Sequence, residues 1–493
     1  MNNKLKTLYI SLFTILCLSS CGNSPTNVSL SEKLPPIFPD YVGVTIPEDI
    51  APMNFNVNRP NCDAVDVTVK GSISGELHVN GDYADFDVEE WHELLKANRG
   101  GKLTFTVIAH ENDSWTQYRN FTMNISKQAL NEWGITYRLI APSYEIFSQM
   151  GIYQRNLSNF DEKALLVNTQ VPGMCINCHT ANRTNPDDYA FHVRGDHGAT
   201  YLKHNGKGEW LKAKNADLGG SMVYPYWHPS GKYCAFSTND THQMFHAKNN
   251  NRVEVYDTHS DIIIYKPETH EILSDTLLRS SKWSENCPVF SPDGKWIYFI
   301  TALQQQYPKD YQKQHYNLCR IAFDAEKGTI GSKVDTIFNA AKMGKSVTWP
   351  RPSYDGRYLM FTMLNYGYFS VWHQESDLWM MDLQKGEALP MNEVNSKRSE
   401  SFHNWTRNSK WFLFTSRRDD NLYTRIYLAS VDEHGKATKP FLLPQKNPLE
   451  YYRRSLYSYN TPDFTAKEVE FDAHEAGIAI ESDKRVETKL RKR

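Results

Sequence analysis

A nine-residue pattern that occurs four times constrains the fold of this chain more than any other feature of its sequence. The copies are His228–Phe236, Ser291–Phe299, Ser353–Phe361 and Thr406–Phe414, and they align without gaps. Their anchor residues Gly231, Gly294, Gly356 and Ser409 lie 63, 62 and 53 residues apart. Each copy reads as a tight turn, a basic residue, and an aromatic residue followed three positions later by a Phe on a buried strand. We therefore expect the three glycines to be turn residues that matter for stability rather than function.

Antiparallel units repeated about every 50–60 residues are typical of β-propeller blades, which stack around an axis because no single blade buries both of its faces. The four copies span about residues 224–445, and residues 137–220 contain further strand patterns. These would supply two more blades. The sequence therefore predicts an all-β protein with a six-bladed propeller over residues 131–460. The alternative, two unrelated β domains, does not explain the regular spacing.

Residues 39–130 show strand signals of a different kind. Apolar and polar residues alternate along the segments Val65–Val69, Leu103–Val107 and Phe121–Ile125, as in strands with one buried face. A short helix is predicted over Val88–Ala97, with Asp87 as its cap. This pattern predicts a β-sandwich-like domain. The remaining divisions are a signal peptide at 1–20, a tether at 21–38 and a C-terminal tail at 461–493.

The first residues indicate export. Lys4 and Lys6 precede an apolar run that ends at Leu18-Ser19-Ser20-Cys21, the arrangement of a secretory signal. The ending resembles the lipobox of bacterial lipoproteins, which predicts a lipid anchor at Cys21. Gly22 after that cysteine resembles the pattern routed to the outer membrane, so we expect an envelope lipoprotein facing the periplasm. The sequence after this signal contains no apolar stretch of 18 residues.

Composition excludes some classes of function. The chain has 55 Lys+Arg and 57 Asp+Glu, so the charge balance does not indicate nucleic acid as a partner. It contains no G-x-S-x-G, H-E-x-x-H or phosphate-loop motif, and we lean towards a protein that is not an enzyme. Its many aromatic residues suit blade packing first, and a groove for a sugar or peptide second.

One motif indicates cofactor chemistry. Cys175-Ile176-Asn177-Cys178-His179 is a C-x-x-C-H string, and its spacing fits covalent attachment of one haem c. In that arrangement the two thiols bind the vinyl-derived carbons and the His179 imidazole binds the iron. Two alternatives stay open, a disulfide or redox-active thiol pair and a metal site, although no second C-x-x-C or H-x-x-x-H completes a zinc site.

The motif falls in a predicted loop at 170–190 between propeller strands, so the propeller itself would have to supply the haem pocket and any sixth iron ligand. His192 is the first candidate, because it lies thirteen residues after His179 on the nearest predicted strand. The other candidates are His197, His228, His246 and Met222.

The repeats resemble those of TolB-like propellers, also called WD40-like or PD40 repeats. More of the chain resembles a narrower group of exported bacterial lipoproteins, labelled TolB-like or cytochrome c biosynthesis proteins, which join such a propeller to a c-type haem motif. The matching stretches are Pro39–Phe55, Tyr137–Ile140, Gly151–Leu157, Asn159–Glu162, Cys175–His179, Tyr224–Asn239 and Ser401–Ala429. The resemblance implies a lipid-anchored propeller carrying haem c.

Two functions from different classes follow from the sequence. The first is electron transfer or redox sensing by an envelope lipoprotein with one haem c bound to Cys175, Cys178 and His179, and with an unknown protein or redox partner. The second is a haem-free propeller scaffold that binds a protein or glycan, with Cys175 and Cys178 joined as a disulfide.

Overall fold

The computed structural model describes residues 24–141, 149–171, 173–212, 218, 220–247 and 251–491. The predicted signal peptide and the lipid anchor at Cys21 lie outside the described residues. Within those ranges, no helix has the length and apolar character needed to cross a membrane.

The N-terminal domain is built on one sheet that forks. Its strands are β1 (Ser29–Leu30), β2 (Ile37–Phe38), β3 (Thr45–Ile46), β4 (Asn56–Val57), β5 (Cys62–Gly71), β6 (Glu76–Gly81), β7 (Lys102–Glu111), β8 (Ser114–Gln117) and β9 (Phe121–Ile125). The first half of β7 pairs with β9 and its second half with β8, while β2 and β4 form a separate pair. Val65, Val67 and Val69 are fully buried, so the predicted alternation is confirmed.

Helix α1 covers the core of this domain over Val88–Ala97, the range that the sequence predicts. The Asp87 carboxylate accepts hydrogen bonds from the backbone N–H groups of Glu89 and Glu90, which caps the first turn. The helix buries Trp91, Leu94 and Leu95. Because these side chains lie three and four positions apart, they share one face of the helix.

The rest of the chain is a six-bladed propeller, so the all-β fold class is confirmed. Blade 1 contains β10 (Gly134–Ile140), β11 (Met150–Asn156) and β12 (Glu162–Val167), and blade 2 contains β13 (Cys175–Asn182), β14 (Asn185–Arg194), β15 (Ala199–His204) and β16 (Lys207–Lys212). Blade 3 contains β17 (Ser221–Trp227), β18 (Cys234–Phe245), β19 (Val253–Lys266) and β20 (Glu271–Leu273), and blade 4 contains β21 (Trp283–Phe290), β22 (Trp296–Leu303), β23 (Asn317–Asp324) and β24 (Thr329–Phe338). Blade 5 contains β25 (Ser346–Pro352), β26 (Tyr358–Leu364), β27 (Asp377–Asp382) and β28 (Glu387–Pro390), and blade 6 contains β29 (Glu400–Trp405), β30 (Trp411–Ser416), β31 (Arg425–Ser430) and β32 (Phe441–Leu442).

The ring is closed by the C-terminal part of the chain. After helix α2 (Pro448–Arg454), strand β33 (Ser458–Thr465) pairs antiparallel with β10 and becomes the innermost strand of blade 1. The innermost strands β33, β13, β17, β21, β25 and β29 then contact one another in a closed circle. The sequence placed the end of the propeller at residue 460, whereas β33 continues to Thr465.

The region predicted as a C-terminal tail contains further secondary structure. Helix α3 covers Ala473–Glu481, and strand β34 (Lys489–Leu490) pairs with β20 at the outer edge of blade 3. Ile480 is fully buried against blade 2 residues. Apolar contacts and strand pairing therefore hold this predicted tail segment on the propeller.

The repeat anchors have the backbone conformation that tight turns require. Gly231, Gly294 and Gly356 have φ angles of 74°, 72° and 74°, and Ser409 has a φ of 57°. A positive φ is accessible to glycine at little cost and is uncommon for other residues. The expectation that these positions are turn residues is confirmed.

The two domains pack on each other. The Tyr41 hydroxyl donates to the Leu442 backbone carbonyl at 3.1 Å, and the Trp411 Nε1–H donates to the Gln128 carbonyl at 2.9 Å. A single apolar core includes buried residues of the N-terminal sheet and of blades 5, 6 and 1. The N-terminal domain therefore lies against blade 6 and its two neighbours in the ring.

Candidate functional site

The propeller encloses a cavity of about 500 Å³ at its axis. Innermost strands of four blades contribute to its wall through Cys178, Tyr224, Phe402 and Thr461. Blade 5 contributes through the segment that contains Trp372. The volume falls in the range of small-molecule sites in proteins.

A five-residue pattern in the innermost strands shapes the wall. Four blades have Ser-x-x-x-Pro, at Ser221–Pro225, Ser284–Pro288, Ser346–Pro350 and Ser458–Pro462, blade 6 has Ser399–His403, and blade 2 has Cys175–His179. The fourth residue of every copy has a φ between 45° and 53°. The strand register shifts at each of these points, which identifies a β-bulge in every blade.

The C-x-x-C-H string is therefore the blade 2 copy of a repeat within the propeller. It lies on β13, whereas the sequence predicted a loop between strands. Cysteine replaces the serine that the other five blades have at the first position, and histidine replaces proline at the last. Cys178 occupies the bulge.

Both cysteines face the axial cavity. The Arg138 guanidinium donates to the Cys175 Sγ at 3.7 Å, and the Asn177 Nδ2 donates to the same sulfur at 3.2 Å. Burial raises the pKa of Cys178, and the positive charge of Arg194 offsets only part of this rise. Both cysteines are free thiols here, on a wall that a bound molecule would contact.

His179 does not share this wall. Its imidazole lies within the blade, with its ring centroid 6.3 Å from that of Tyr189. Neither ring nitrogen has a hydrogen-bond partner among the described residues. Burial lowers the pKa of His179 to about 4, so the ring is neutral at pH 7.

His192 lies on the other face of the same sheet. Its Nδ1 is 3.0 Å from the Thr200 Oγ1, and that hydroxyl donates to the Met222 carbonyl of blade 3. His192 and Tyr189 are three residues apart on β14, so strand alternation directs them to opposite faces. Because His179 packs on Tyr189, the two histidines lie on opposite faces of the sheet, an arrangement that does not favour their binding one iron as the predicted axial pair.

The other predicted ligands are also absent from the described wall of the cavity. The His228 ring contacts the Ser230 hydroxyl and the Gly294 carbonyl, and His197 pairs with Asp483. His246 lies 3.6 Å from a Glu254 oxygen, and Met222 is fully buried in an apolar cluster. His242, which the sequence analysis did not select, does line the cavity.

These positions decide whether the residues fit haem c. A c-type haem requires both thiols and the adjacent imidazole to face one porphyrin. Cys175 and Cys178 meet this requirement, and His179 does not. Among the residues that the structure describes, no group of three or more His, Cys, Asp or Glu side chains is arranged to hold a metal ion.

Three arginines dominate the electrostatics of the cavity. Arg138, Arg194 and Arg417 line it, and its described wall contains no Asp or Glu. Arg417 is 4% exposed, and its guanidinium carbon lies 3.4 Å from the centroid of the Trp372 ring. Burial lowers the pKa of Arg417 to about 9. Sequence reasoning missed these arginines because they come from three blades and belong to no common motif.

One carboxylate lies behind the wall. Asp257 accepts hydrogen bonds from Asn239, Thr241 and Asn286 at 2.7–3.0 Å. Burial raises the pKa of Asp257 to about 6, and Arg194 is among the groups that oppose the rise. Its hydrogen bonds hold Asp257 in the interface between blades 3 and 4, away from the cavity surface.

A long hairpin of blade 3 forms part of the wall. Strands β18 and β19 pair from Cys234–Tyr265 out to Phe245–Val253, and Val253 and Val255 line the cavity. Glu254 between them points the other way, where it accepts a hydrogen bond from the Tyr366 hydroxyl at 2.7 Å and lies 3.3 Å from the His373 Nε2. These contacts fix the hairpin to blade 5.

No family model matches the chain, and no curated protein matches it. Among solved structures, a puromycin-hydrolyzing peptidase of Mycobacterium tuberculosis is similar at 12% identity and a TM-score of 0.35, over 70% of this chain and 52% of that one. This chain thus spans about half the length of that peptidase.

Two shorter proteins are matched over nearly their whole lengths. A periplasmic gluconolactonase of Pseudomonas aeruginosa is 12% identical with a TM-score of 0.34, over 67% of this chain and 99% of that one. An oligogalacturonate lyase in complex with manganese is 12% identical with a TM-score of 0.31, over 64% of this chain and 98% of that one. The likeness is to propeller-type folds.

Proposed function

We propose that this protein is a ligand-binding propeller that holds a small molecule in its axial cavity. The supporting observation is the cavity itself, which combines about 500 Å³ of space with a lining of three arginines, two thiols and several aromatic side chains. Sites that bind small molecules typically pair an apolar lining with a few placed polar groups. A folded protein partner would be too large to enter this space.

We further propose that the chain is an exported lipoprotein anchored at Cys21, related to the TolB-like propellers. The signal pattern and the repeat resemblance support this proposal. In that location the cavity would meet molecules of the cell envelope, and its thiols would be exposed to an oxidising compartment.

Haem c is the second candidate, because Cys175 and Cys178 face the same cavity and arginines lie beside them. The position of His179 opposes it, since haem c attachment in the usual manner would require this imidazole to leave the interior of the blade. An absorption spectrum of the protein, matured with a working cytochrome c control, distinguishes the two candidates.

The test of the binding function is a thermal-shift screen of small organic molecules on the wild-type protein and on a Val255→Trp variant. Val255 lines the cavity, so the larger side chain fills part of its volume. We expect some compounds to raise the melting temperature of the wild-type protein and not that of the variant. Leu389→Trp is the matched control, because Leu389 is 69% exposed on blade 5.

Equal shifts in the wild-type protein and in Val255→Trp would show that binding occurs elsewhere and would contradict the proposal. A haem spectrum that is lost on replacing either Cys175 or Cys178 would support the second candidate instead.

A further inference from the structure

The charged side chains of the axial cavity are gathered on one side of it. Arg417, Arg138 and Arg194 belong to blades 6, 1 and 2, which are consecutive in the ring. Val253 and Val255 belong to blade 3, and Val371 and Trp372 belong to blade 5. Apolar side chains therefore lie opposite the arginines on blades 3 and 5, and others lie beside them at Ile140, Met150 and Phe402.

From this division we propose that the ligand is an organic anion, a carboxylate attached to an aromatic or aliphatic body. This inference rests on the proposed binding function and narrows it to one class of molecule. The carboxylate would lie beside Arg138 and Arg194, and the body would lie against the side chains of blades 3 and 5.

The basic side lacks a partner of opposite charge. None of the three guanidinium groups forms an ion pair with a carboxylate in the described part of the chain, and the buried Nε atoms of Arg138 and Arg417 have no hydrogen-bond partner there. Removing a charge from water without a partner is costly, and a bound anion would offset that cost. A planar guanidinium can bind a carboxylate through two parallel hydrogen bonds.

Asp257 offsets only part of this charge. Its carboxylate is held behind the wall by Asn239, Thr241 and Asn286, and with a pKa of about 6 it is mostly ionised at pH 7 and attracts Arg194 from there. No Asp or Glu of the described wall neutralises the arginines at the cavity surface itself.

The apolar lining, which includes Phe402 of blade 6 beside the arginines, is shaped for a flat or branched body. The indole of Trp372 is held in place by the guanidinium of Arg417 stacked on its face, a contact that fixes both groups. Phe402 packs edge-on against Trp349 with ring centroids 5.0 Å apart. Together with Val371 they present a preformed apolar surface.

This surface separates the proposed class from its competitors. An inorganic anion would leave the apolar side in contact with water, which loses the gain from burying it. A neutral sugar or alcohol would leave the arginines without a counter-charge. An organic carboxylate satisfies both sides of the cavity.

The test uses three probes that differ in one property each: naphthalene-2-carboxylate, the neutral naphthalene-2-methanol, and inorganic phosphate. Binding to the mature full-length protein is measured by isothermal titration calorimetry. We expect the carboxylate to bind at least about tenfold more tightly than the alcohol, because the alcohol cannot form hydrogen bonds with charge on both partners. Phosphate should show no saturable binding.

Substitutions of single arginines test which of them bind the carboxylate. Arg138→Gln and Arg194→Gln should each weaken carboxylate binding about tenfold while leaving the affinity for the alcohol nearly unchanged. Arg454→Gln is the control, because the side chain of Arg454 is 81% exposed on helix α2, away from the cavity. Circular dichroism of each variant verifies that it is folded.

Three outcomes would overturn the inference. They are equal affinities for the carboxylate and the alcohol, phosphate binding as tight as that of the carboxylate, and no carboxylate binding at millimolar concentration. If Val255→Trp still abolishes thermal shifts by other compounds, the binding function stands while the ligand class is wrong.

Discussion

His179 and His403 occupy the same position in two blades, one residue after the bulge of the innermost strand. His403 resembles His179 in its surroundings, since its ring nitrogens also lack a hydrogen-bond partner among the described residues and its pKa falls to about 3 through burial. The other four blades have proline there. The position thus accepts a compact, uncharged ring between blades, which is a packing role.

Acid should therefore destabilise the protein through these two residues. Burial lowers their pKa values to about 4 and 3, below the value of about 6.5 in an unfolded chain. Between about pH 4 and 6.5 the unfolded chain binds more protons than the folded protein does. The free energy of unfolding therefore falls as the pH decreases from about 6.5 to 4. In urea unfolding at several pH values, the double variant His179→Gln/His403→Gln should lose part of this slope. An unchanged slope would contradict the buried, neutral state.

His373 should act in the opposite direction. Burial alone would lower its pKa, but the hydrogen bonds and charges of Glu254 and Glu375 outweigh burial and raise the pKa to about 9. Because the folded pKa exceeds the unfolded one, this stabilisation is complete below about pH 6.5 and is lost as the pH rises through 9. His373→Gln should be less stable than the wild type at pH 6, and the difference should shrink by pH 10. A difference that is constant with pH would argue against the ion pairs.

The turn glycines should differ in their tolerance of a side chain. An added Cβ at Gly294 would lie 2.2 Å from the His228 Nε2, whereas at Gly356 it would meet nothing within 4 Å. Both positions have positive φ, which costs an alanine about 1 kcal/mol. Gly356→Ala should show only this loss in denaturant titrations, and Gly294→Ala should lose more. Equal losses would mean that His228 moves aside freely.

Cys175→Ser should leave the fold intact. Serine occupies the same position in the other five blades, and the change replaces the sulfur that accepts from Arg138 and Asn177 with an oxygen that can accept the same hydrogen bonds. We expect the free energy of unfolding to change by less than about 1 kcal/mol, below the usual effect of core substitutions. The same variant tests haem attachment. If haem c is bound, acid-stable haem staining should be weaker in Cys175→Ser than in the wild-type protein. A large loss of stability in haem-free protein would show that the thiol has a structural role.

Cys21 is tested by fractionation. If it is the lipidated first residue of the mature chain, Cys21→Ala should yield an uncleaved or released protein instead of a membrane-bound one. Unchanged partitioning of the variant into membranes would remove the lipoprotein assignment. The outer β-strand residue Lys333→Ala serves as a control for effects on expression, since its side chain is 82% exposed.

The sequence predicts the turn that follows each innermost strand, but it does not predict the bulge within that strand. The turns at Gly231, Gly294 and Gly356 all use glycine and the first two also use proline, and the backbone preferences of these residues leave a recognisable pattern. The Ser-x-x-x-Pro pattern begins seven residues before each turn, but the residue at its bulge varies from Cys178 to Trp349. The bulge is imposed by packing around the axis, which a single strand does not show.

The residues of the candidate site were also hard to predict, because they depend on contacts between blades and not on local sequence. Helix α1 was predictable in its bounds, because its cap and its apolar face are local signals. The cavity depends on which blades become neighbours, so Arg138, Arg194 and Arg417 are remote in sequence and meet only in the closed ring. For Cys178 and His179, consecutive residues face different environments because β13 is a strand.

The pairing of β33 with β10 has a consequence for the order of events during synthesis. Blade 1 obtains its innermost strand from residues 458–465, more than 300 positions after β10. A ribosome must therefore translate most of the chain before the ring of blades can close. Until then β10 is a sheet edge without its partner strand, and it can pair with strands of other chains. Ser458, Asn460 and Thr461 also line the axial cavity, so the wall of the proposed binding site is complete only after this strand has paired with β10.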